Sequence, residues 1–528
     1  MVCIANVTCS YRLHTERIHN LNNWKGRDSR MDYFEKCSPE SQGIESQGII
    51  RMLEGFQERG LEIHSVMIVR NEKCCATGWW KPYESEYPHS LYSFSKTLTS
   101  IAIGFAVQEG KLRLDEKLTD LFADEISFEP SENMKKATVC HLLTMSCGHA
   151  TDFEDFSEDW VENFLKREFV YEPGSTFIYN TGGTNMLAAI LKKKTGQNIT
   201  EFLYHRFLEP LGITHLSCIV LPDKNHVELA GGGMHLTTEE MAKVSLFLLN
   251  KGAWEGRQLL SRKWFDQACA RLVETNHVFA DRMESSNGYG YQIWQGSRQG
   301  SYRAEGAFGQ FGLVYPDLNL VISLTAAVAQ FRVQEIFDVI NWEFLPAVCD
   351  KVLPECGNSA VLENMLKNLS IPVMRGDRNP FMEKKLENKV FLTTAADKEQ
   401  GCSSLEILIG GGTLYPLTEG EITRMSFSFE EKLLKWKVWE NGKVMELAAA
   451  MDGSFEKTKL DGKIYGATAR WRSVNSLEIE ARRLDSLSGA RIIFRFQELL
   501  LELTADDTLV EVGGASNYPR RTAKFRME

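Results

Sequence analysis

The sequence predicts an α+β fold in which an antiparallel sheet flanked by helices is followed by a C-terminal antiparallel β barrel or sandwich. Two strand-like runs precede a long apolar helix and more return later, so the sheet should combine strands from both ends of one domain. Beyond about residue 355, short strand-like runs follow one another. A chain of 528 residues exceeds a single core, so we expect more than one domain. The predicted division is an irregular extension over residues 1–36, a first domain over 37–350 and an all-β domain over 351–528.

The first domain begins with a helical pattern over Gly43–Arg59. Ile63–Arg70 and Lys73–Trp79 are rich in β-formers and predict a hairpin. Ser93–Glu109 is apolar on nearly all sides at helical spacing, which indicates a buried central helix that ends at Gly110. The same patterns predict helices over Val139–Thr144, Thr184–Lys194, the residues after Thr237 and Val333–Val348, and strands over Tyr289–Gln295, Gly312–Tyr315 and Leu320–Ala326.

The C-terminal domain shows seven short β patterns and a strong hairpin signal at Glu440-Asn441-Gly442-Lys443. The predicted strands are Met425–Phe429, Leu433–Val438, Val444–Leu447, Tyr465–Trp471, Leu477–Arg482, Ala490–Gln497 and Leu499–Thr504. Repeated antiparallel strands of this length favour a small barrel or sandwich.

Composition argues against several classes of function. A net charge of −11 argues against a nucleic-acid partner, and apolar stretches such as Ile101–Val107 are too short to cross a membrane. The start lacks a signal-peptide pattern and the twelve cysteines form no C-x-x-C pair, so we expect a cytoplasmic protein with reduced thiols. Without an H-E-x-x-H motif or clustered His and Cys, we expect no metal and no other cofactor.

Ser93-Phe94-Ser95-Lys96 stands at the start of the predicted buried helix. Residues three apart on a helix share a face, so the amine of Lys96 can reach the hydroxyl of Ser93 and, when partly deprotonated, activate it. The alternative is a serine that caps the helix, with the lysine in solvent. Roughly two S-x-x-K matches are expected by chance in a chain of this length, and we take Ser454-Phe455-Glu456-Lys457 as one of them.

Two further patches can contribute chemistry. Pro173–Gly183 presents Tyr179, which can act as a general acid or base beside a cation; the alternative is a packed aromatic. Tyr302–Gln310 contains glycines that permit the close approach of another backbone. Its N–H groups could complete an oxyanion hole with that of Ser93, unless the segment is only a bulge or turn.

In this order the three patches resemble the serine β-lactamase and penicillin-binding-protein superfamily, in particular its class C-like esterase and peptidase branch. The stretches that connect them resemble the family too: Glu109-Gly110-Lys111-Leu112, His141-Leu142-Leu143-Thr144-Met145, Glu172-Pro173-Gly174 and Glu209-Pro210-Leu211-Gly212-Ile213. The resemblance covers roughly residues 40–348. It implies a β-lactamase-like transpeptidase fold with a helical subdomain.

The resemblance also implies roles for the site residues. Ser93 would be the nucleophile that becomes acylated, Lys96 its proton acceptor, and Tyr179 of the Y-x-N motif the relay to the leaving group. Whether Lys96 or Tyr179 is the first base stays open, because their titrations are coupled. We therefore expect a serine hydrolase acting on a small-molecule ester, amide or peptide. The substrate-binding candidates are Asn180, Arg303, Glu305, Gly306 and Ala307.

The chain departs from the family pattern at two places. Thr181 occupies the asparagine position of Y-x-N, and the K-T-G motif is Ala304-Glu305-Gly306, which leaves Arg303 as the nearest cation. On a strand Arg303 and Glu305 share a face. Because Glu305 would repel a substrate carboxylate, we expect weak or no β-lactamase activity and a preference for an uncharged or amine-bearing ester or amide.

Two other functions stay open. A true β-lactamase or D,D-peptidase would use the same residues, although the missing signal peptide counts against it. A catalytically idle ligand-binding or scaffold protein would share the fold, although the intact Ser93, Lys96 and Tyr179 count against that. The C-terminal domain could shape the cleft, mediate contacts in an oligomer or stabilise the chain, and its sequence does not discriminate.

Overall fold

The structure is a computed structural model that describes residues 33–155, 157–221, 223–277, 282–355, 357–393, 404–410, 420–514 and 519–528. Most of the extension expected over residues 1–36 lies outside these ranges. Its last residues pack on the first domain: Phe34 is buried in the main core, and the ring of Tyr33 stacks on Trp254.

The first part of the chain is organised around a six-stranded antiparallel sheet. The described strands of this part are β1 (Ile63–Arg70), β2 (Lys73–Trp79), β3 (His89–Ser90), β4 (Ser217–Cys218), β5 (Met234–Leu236), β6 (Ala253–Trp254), β7 (Arg257–Gln258), β8 (Trp294–Gln295), β9 (Tyr302–Gly306), β10 (Gln310–Tyr315) and β11 (Leu320–Ala326). Outside the sheet, β3, β5 and β4 form a small three-stranded sheet, and β6 pairs with β7. The sheet order is β2-β1-β11-β10-β9-β8. Strands from both ends of the domain therefore pair, as the sequence predicts.

Helices cover both faces of this sheet. They are α1 (Ser46–Glu58), α2 (Ser95–Gln108), α3 (Leu118–Leu121), α4 (Val139–Leu143), α5 (Trp160–Lys166), α6 (Thr181–Thr195), α7 (Ile199–Leu203), α8 (Glu209–Leu211), α9 (Thr238–Leu249), α10 (Arg262–Ala268), α11 (Gln334–Val339) and α12 (Asn358–Lys367). One face packs on the main core around α2, and the other on a second core that includes α1 and α11. The predicted central helix is confirmed: in α2 every residue from Ser95 to Ala106 is buried.

The C-terminal part is a barrel and not a sandwich. Its described strands are β12 (Val390–Leu392), β13 (Ile422–Phe429), β14 (Leu433–Glu440), β15 (Lys443–Ala450), β16 (Glu456–Leu460), β17 (Lys463–Ser473), β18 (Ser476–Arg483), β19 (Gly489–Gln497), β20 (Leu500–Asp507) and β21 (Arg520–Met527), with helices α13 (Pro380–Leu386), α14 (Leu405–Gly410) and α15 (Thr508–Glu511). Among these described strands, a pairing of β15 with β17 closes a ring of nine, and β16 lies outside it. The hairpin predicted at Asn441-Gly442 is confirmed, with both residues at positive φ.

The chain after residue 350, the predicted boundary, still packs on the first domain. Helix α12 packs on α1 and β2, and its Leu362 is buried in the core that contains α1. Lys81 then donates its backbone N–H to Leu369. We propose that the domain boundary lies near residue 371. Within the described ranges, no helix combines the length and apolar character that a bilayer crossing requires.

Candidate active site

Ser93 lies in a single 3-10 turn, Tyr92–Phe94, directly before α2. The preceding residue, Tyr92, has φ +48°, a left-handed conformation that costs a residue with a side chain about 1–2 kcal/mol. The turn presents a half-buried Ser93 at the N-terminus of a helix whose first turn is otherwise buried. The nucleophile candidate is therefore held in a strained backbone at the positive end of the helix dipole.

Lys96 is on the first turn of α2 and is 1 % exposed. Its Nζ donates to the Ser93 Oγ at 3.0 Å, to the Thr181 Oγ1 at 3.3 Å and to the carbonyl oxygen of Gly231 at 2.6 Å. The predicted serine–lysine contact is thus present in the structure, and the alternative of a lysine in solvent is ruled out. All three protons of an ammonium group have an acceptor here.

Burial lowers the pKa of Lys96 from 10.5 to about 8, although the carboxylates of Asp152 and Glu154 raise it in part. Desolvation penalises the charged amine and the two carboxylates favour it, so desolvation is the larger effect. An amine with a pKa near 8 is partly neutral at physiological pH. It can therefore accept a proton from the hydroxyl of Ser93.

Tyr179 lies on the loop before α6, with Lys96 Nζ 5.0 Å from the centroid of its ring. The ring stacks on Trp294, with centroids 5.9 Å apart. Its hydroxyl interacts with that of Ser93, which lowers the pKa of Tyr179, but burial raises that pKa far more. Tyr179 therefore keeps its proton at neutral pH and is a proton donor in the ground state.

Asn180 does not face the nucleophile. Its Oδ1 accepts the N–H of Gly183 at 3.0 Å and caps α6, and its Nδ2 contacts the Nδ1 of His149 at 3.0 Å. The side chain is 1 % exposed, so its position favours a structural role over the expected role in substrate binding. Thr181 points towards Lys96 instead, and its own Oγ1 donates to Asp152 at 3.2 Å.

Arg303 and Glu305 share one face of β9, as the strand alternation predicts, and they pair with each other. The Nε of Arg303 donates to the Glu305 Oε2 at 2.7 Å, and its Nη1 donates to the carbonyl oxygens of Glu284 and Gln295. Arg282 contacts the other carboxylate oxygen of Glu305 at 3.5 Å. Two cations therefore balance Glu305, which weakens the expected repulsion of carboxylates and attraction of amines.

Gly306 ends β9 beside the nucleophile turn. A Cβ at this position would overlap the carbonyl oxygen of Leu91, so only glycine allows the two backbones to lie this close. Ala307 follows and packs against the apolar cluster that contains Tyr92. The segment that contains Ser93 therefore lies against the segment that contains Ala307. An oxyanion hole built from their backbone N–H groups requires this arrangement.

Three residues that contact the site group were missed in the sequence. The carboxylate of Asp152 accepts the backbone N–H of Thr181 at 2.6 Å, and Trp294 stacks on Tyr179. Gly231 supplies the carbonyl oxygen that binds Lys96. A signal existed for Gly231, since it opens the run Gly231-Gly232-Gly233, whereas an acidic residue in a loop and a tryptophan in a strand have no distinguishing pattern.

In the part of the chain that the structure describes, no group of three or more His, Cys, Asp or Glu side chains is arranged to hold a metal ion. His141 instead completes a capping box with Thr138 at the start of α4. The ring of His149 contacts the aromatic rings of Phe164 and Phe169.

The sheet, the buried α2 and the serine at its N-terminus define a serine hydrolase of the β-lactamase and penicillin-binding-protein superfamily. Residues 49–335 match the family model described as Beta-lactamase, and the chain belongs to that family.

Two curated relatives and one solved structure illustrate the similarity. An uncharacterised protein of Alkalihalophilus pseudofirmus is 24% identical over 295 residues, which cover 49% of this chain and 81% of that protein. A 6-aminohexanoate-dimer hydrolase of Paenarthrobacter ureafaciens is 23% identical over 280 residues, 48% of this chain and 70% of the hydrolase. An octameric penicillin-binding protein homologue from Pyrococcus abyssi, 14% identical, covers 90% of this chain and 99% of its own, with a TM-score of 0.45.

Proposed function

We propose that this protein hydrolyses an ester or amide through a covalent acyl-enzyme on Ser93, with Lys96 and Tyr179 as the general base and acid. One observation carries the proposal: a buried amine with a pKa of about 8 lies 3.0 Å from the hydroxyl of Ser93. The family supports it as well, since its members are serine hydrolases.

The opposite pKa shifts of the two groups favour one assignment of the first base. The pKa of Lys96 is lowered to about 8, so its amine is partly neutral near that pH. The pKa of Tyr179 is raised, so its hydroxyl holds the proton more tightly than that of an ordinary tyrosine. Lys96 would therefore take the proton as Ser93 Oγ forms its bond to the substrate carbonyl carbon. The positive charge that forms on Lys96 then favours proton donation by Tyr179.

The remaining steps follow from the positions of these groups. The carbonyl oxygen gains the negative charge, which the N–H groups of Ser93 and Ala307 would stabilise. As the tetrahedral intermediate collapses, the bond to the leaving group breaks, and that group takes a proton from Tyr179, which recovers one from Lys96. Water then attacks the acyl-enzyme, its proton passing to the same pair, and releases the acid and free Ser93.

The expected substrate is one whose binding does not require a lysine at the first position of the K-T-G motif. Ala304 occupies the lysine position and is buried, and the guanidinium of Arg303 is engaged by Glu305, Glu284 and Gln295. We therefore propose esterase or amidase activity in preference to β-lactamase activity, on the ground of this missing cation and no longer of repulsion by Glu305. A nitrocefin turnover close to that of dedicated β-lactamases would contradict this preference.

A fluorophosphonate probe tests the proposal directly. We expect a covalent adduct on the peptide that contains Ser93, no adduct in Ser93→Ala, and a labelling rate that rises with pH through about 8 as Lys96 loses its proton. Ser454, the serine of the second S-x-x-K match, is the internal control and should stay unmodified. A wild-type protein that is folded but not labelled would support the idle ligand-binding alternative.

A further inference from the structure

The barrel contacts the segment that leads into the nucleophile. Ser90 donates its backbone N–H to the carbonyl oxygen of Asp485, in the turn between β18 and β19, at 2.8 Å. On the opposite edge, Leu91 donates to Met234 of β5 at 2.9 Å. The two residues before the strained Tyr92 are thus fixed by the hydrolase domain on one side and by the barrel on the other.

The turn in the barrel is itself well fixed. The guanidinium of Arg483 holds the carboxylate of Asp485 through two hydrogen bonds, at 2.5 and 2.8 Å. Arg483 also donates its backbone N–H to Ser488 at 2.9 Å, which closes the turn. Because a bidentate ion pair and a backbone hydrogen bond fix this turn, it can also fix the position of Ser90, which it contacts.

Side chains of the barrel also cover the turn of the nucleophile. Leu487 and Leu509, 4 % and 1 % exposed, form one apolar cluster with Tyr92, Ala307 and Phe308. The ring of Tyr92 meets that of Phe308 edge to face, with centroids 5.4 Å apart. The cluster therefore bridges the residue before Ser93 and the residue after Gly306, which are the two sides of the proposed oxyanion hole.

We propose that the C-terminal barrel positions the catalytic serine: Leu487 and Leu509 hold the Tyr92–Ser93 turn against the end of β9. This inference rests on the proposed function and assigns one of the three roles left open for the barrel. Both leucines would act through the cluster that contains Tyr92, so they are positioning residues. Their effect should appear in the rate of acylation and not in substrate affinity, because a displacement of about 1 Å can cost about a hundredfold in rate.

Leu487→Ala is the central test, with Leu447→Ala as its matched control. Leu447 is wholly buried in the barrel interior and belongs to a cluster that does not touch Tyr92. We expect Leu487→Ala to slow fluorophosphonate labelling of Ser93 and to lower kcat by about tenfold or more, with KM little changed. Leu447→Ala should keep the wild-type kinetics below its unfolding temperature, and Leu487→Met should restore the rate.

The outcomes distinguish a failure of the positioning role from a failure of the proposed hydrolase function. Equal kinetics in the Leu487→Ala and Leu447→Ala variants, with wild-type Ser93 labelled, would overturn the positioning role alone. Failure to label Ser93 in the folded wild type would overturn the proposed function and this inference together. If Leu487→Ala does not fold, Leu487→Val, which shortens the same contact less, should show a smaller loss of rate in the same direction, and an unchanged rate would count against the inference.

Discussion

Lys96→Met should change how the stability of the protein depends on pH. The folded protein holds the amine at a pKa of about 8 instead of 10.5. At about 1.4 kcal/mol per pH unit, this difference costs about 3 kcal/mol at pH 7. Between pH 8 and 10.5 the unfolded chain binds the proton and the folded protein does not, so wild-type stability should rise with pH across that interval and stay flat below it.

The measurement is the difference in free energy of unfolding between wild type and variant at pH 7, 8, 9 and 9.5. Urea unfolding followed by tryptophan fluorescence suits a chain with 11 tryptophans. Other titrating groups are common to both proteins and cancel, so between pH 8 and 9.5 the wild type should gain about 2 kcal/mol relative to Lys96→Met. The exposed Lys367, paired with Glu363, provides a control variant for the loss of one positive charge.

The pH dependence isolates ionisation from the other effects of the substitution. At any single pH, Lys96→Met also removes three hydrogen bonds and leaves the buried carbonyl of Gly231 without its donor, which costs about 1–3 kcal/mol. That loss is the same at every pH. A stability difference that stayed constant from pH 7 to 9.5, or that moved against the wild type, would show that the amine is not desolvated and would remove the physical basis for Lys96 as base.

Three further predictions concern other residues of the candidate site. Tyr179→Phe should lower kcat about a hundredfold by removing the proton donor while the protein stays folded, which steady-state kinetics and circular dichroism would show; a near-normal kcat would contradict the assignment. Asn180→Ala should lose about 1 kcal/mol of stability with its cap but keep kcat. Thr181→Val should lower kcat, because it removes a hydrogen-bond acceptor of Lys96, with little loss of stability. A loss of activity in Asn180→Ala as large as that in Thr181→Val would contradict a structural role for Asn180. Gly306→Ala should slow labelling of Ser93 in a folded protein, because its Cβ overlaps Leu91; wild-type labelling would argue against the close approach.

Local sequence patterns predicted the secondary structure where the residue types of one short segment determine it. The strands β1 and β2 and the helix after Thr237 appear where the sequence predicts them. Helix α6 begins at Thr181, three residues before the predicted start at Thr184, because Gly182 and Gly183 are poor helix formers and do not predict a helix. Gly182 is required there for another reason, because a Cβ would overlap the backbone of Phe153.

The sequence could not predict features that depend on contacts between residues far apart in the chain. The strand predicted over Tyr289–Gln295 forms only at Trp294–Gln295, because Gln292 takes a positive φ and donates its backbone N–H to Leu143. The charge balance at Glu305 was also beyond the sequence, since Arg282 lies 23 positions away. The Ser93 and Lys96 pair could be predicted because its spacing is local, but the carbonyl of Gly231, which comes from 135 positions away, could not.

The site contains two unfavourable features side by side, and different parts of the molecule sustain them. The desolvated amine of Lys96 depends on the hydrolase core, through Thr181 and Gly231. The left-handed Tyr92 depends on packing that the barrel completes with Leu487 and Leu509. A chain without the barrel would therefore retain a lysine able to act as base but lose the cover over the turn that aims Ser93, so its acylation should slow without any change in the pH at which that rate rises.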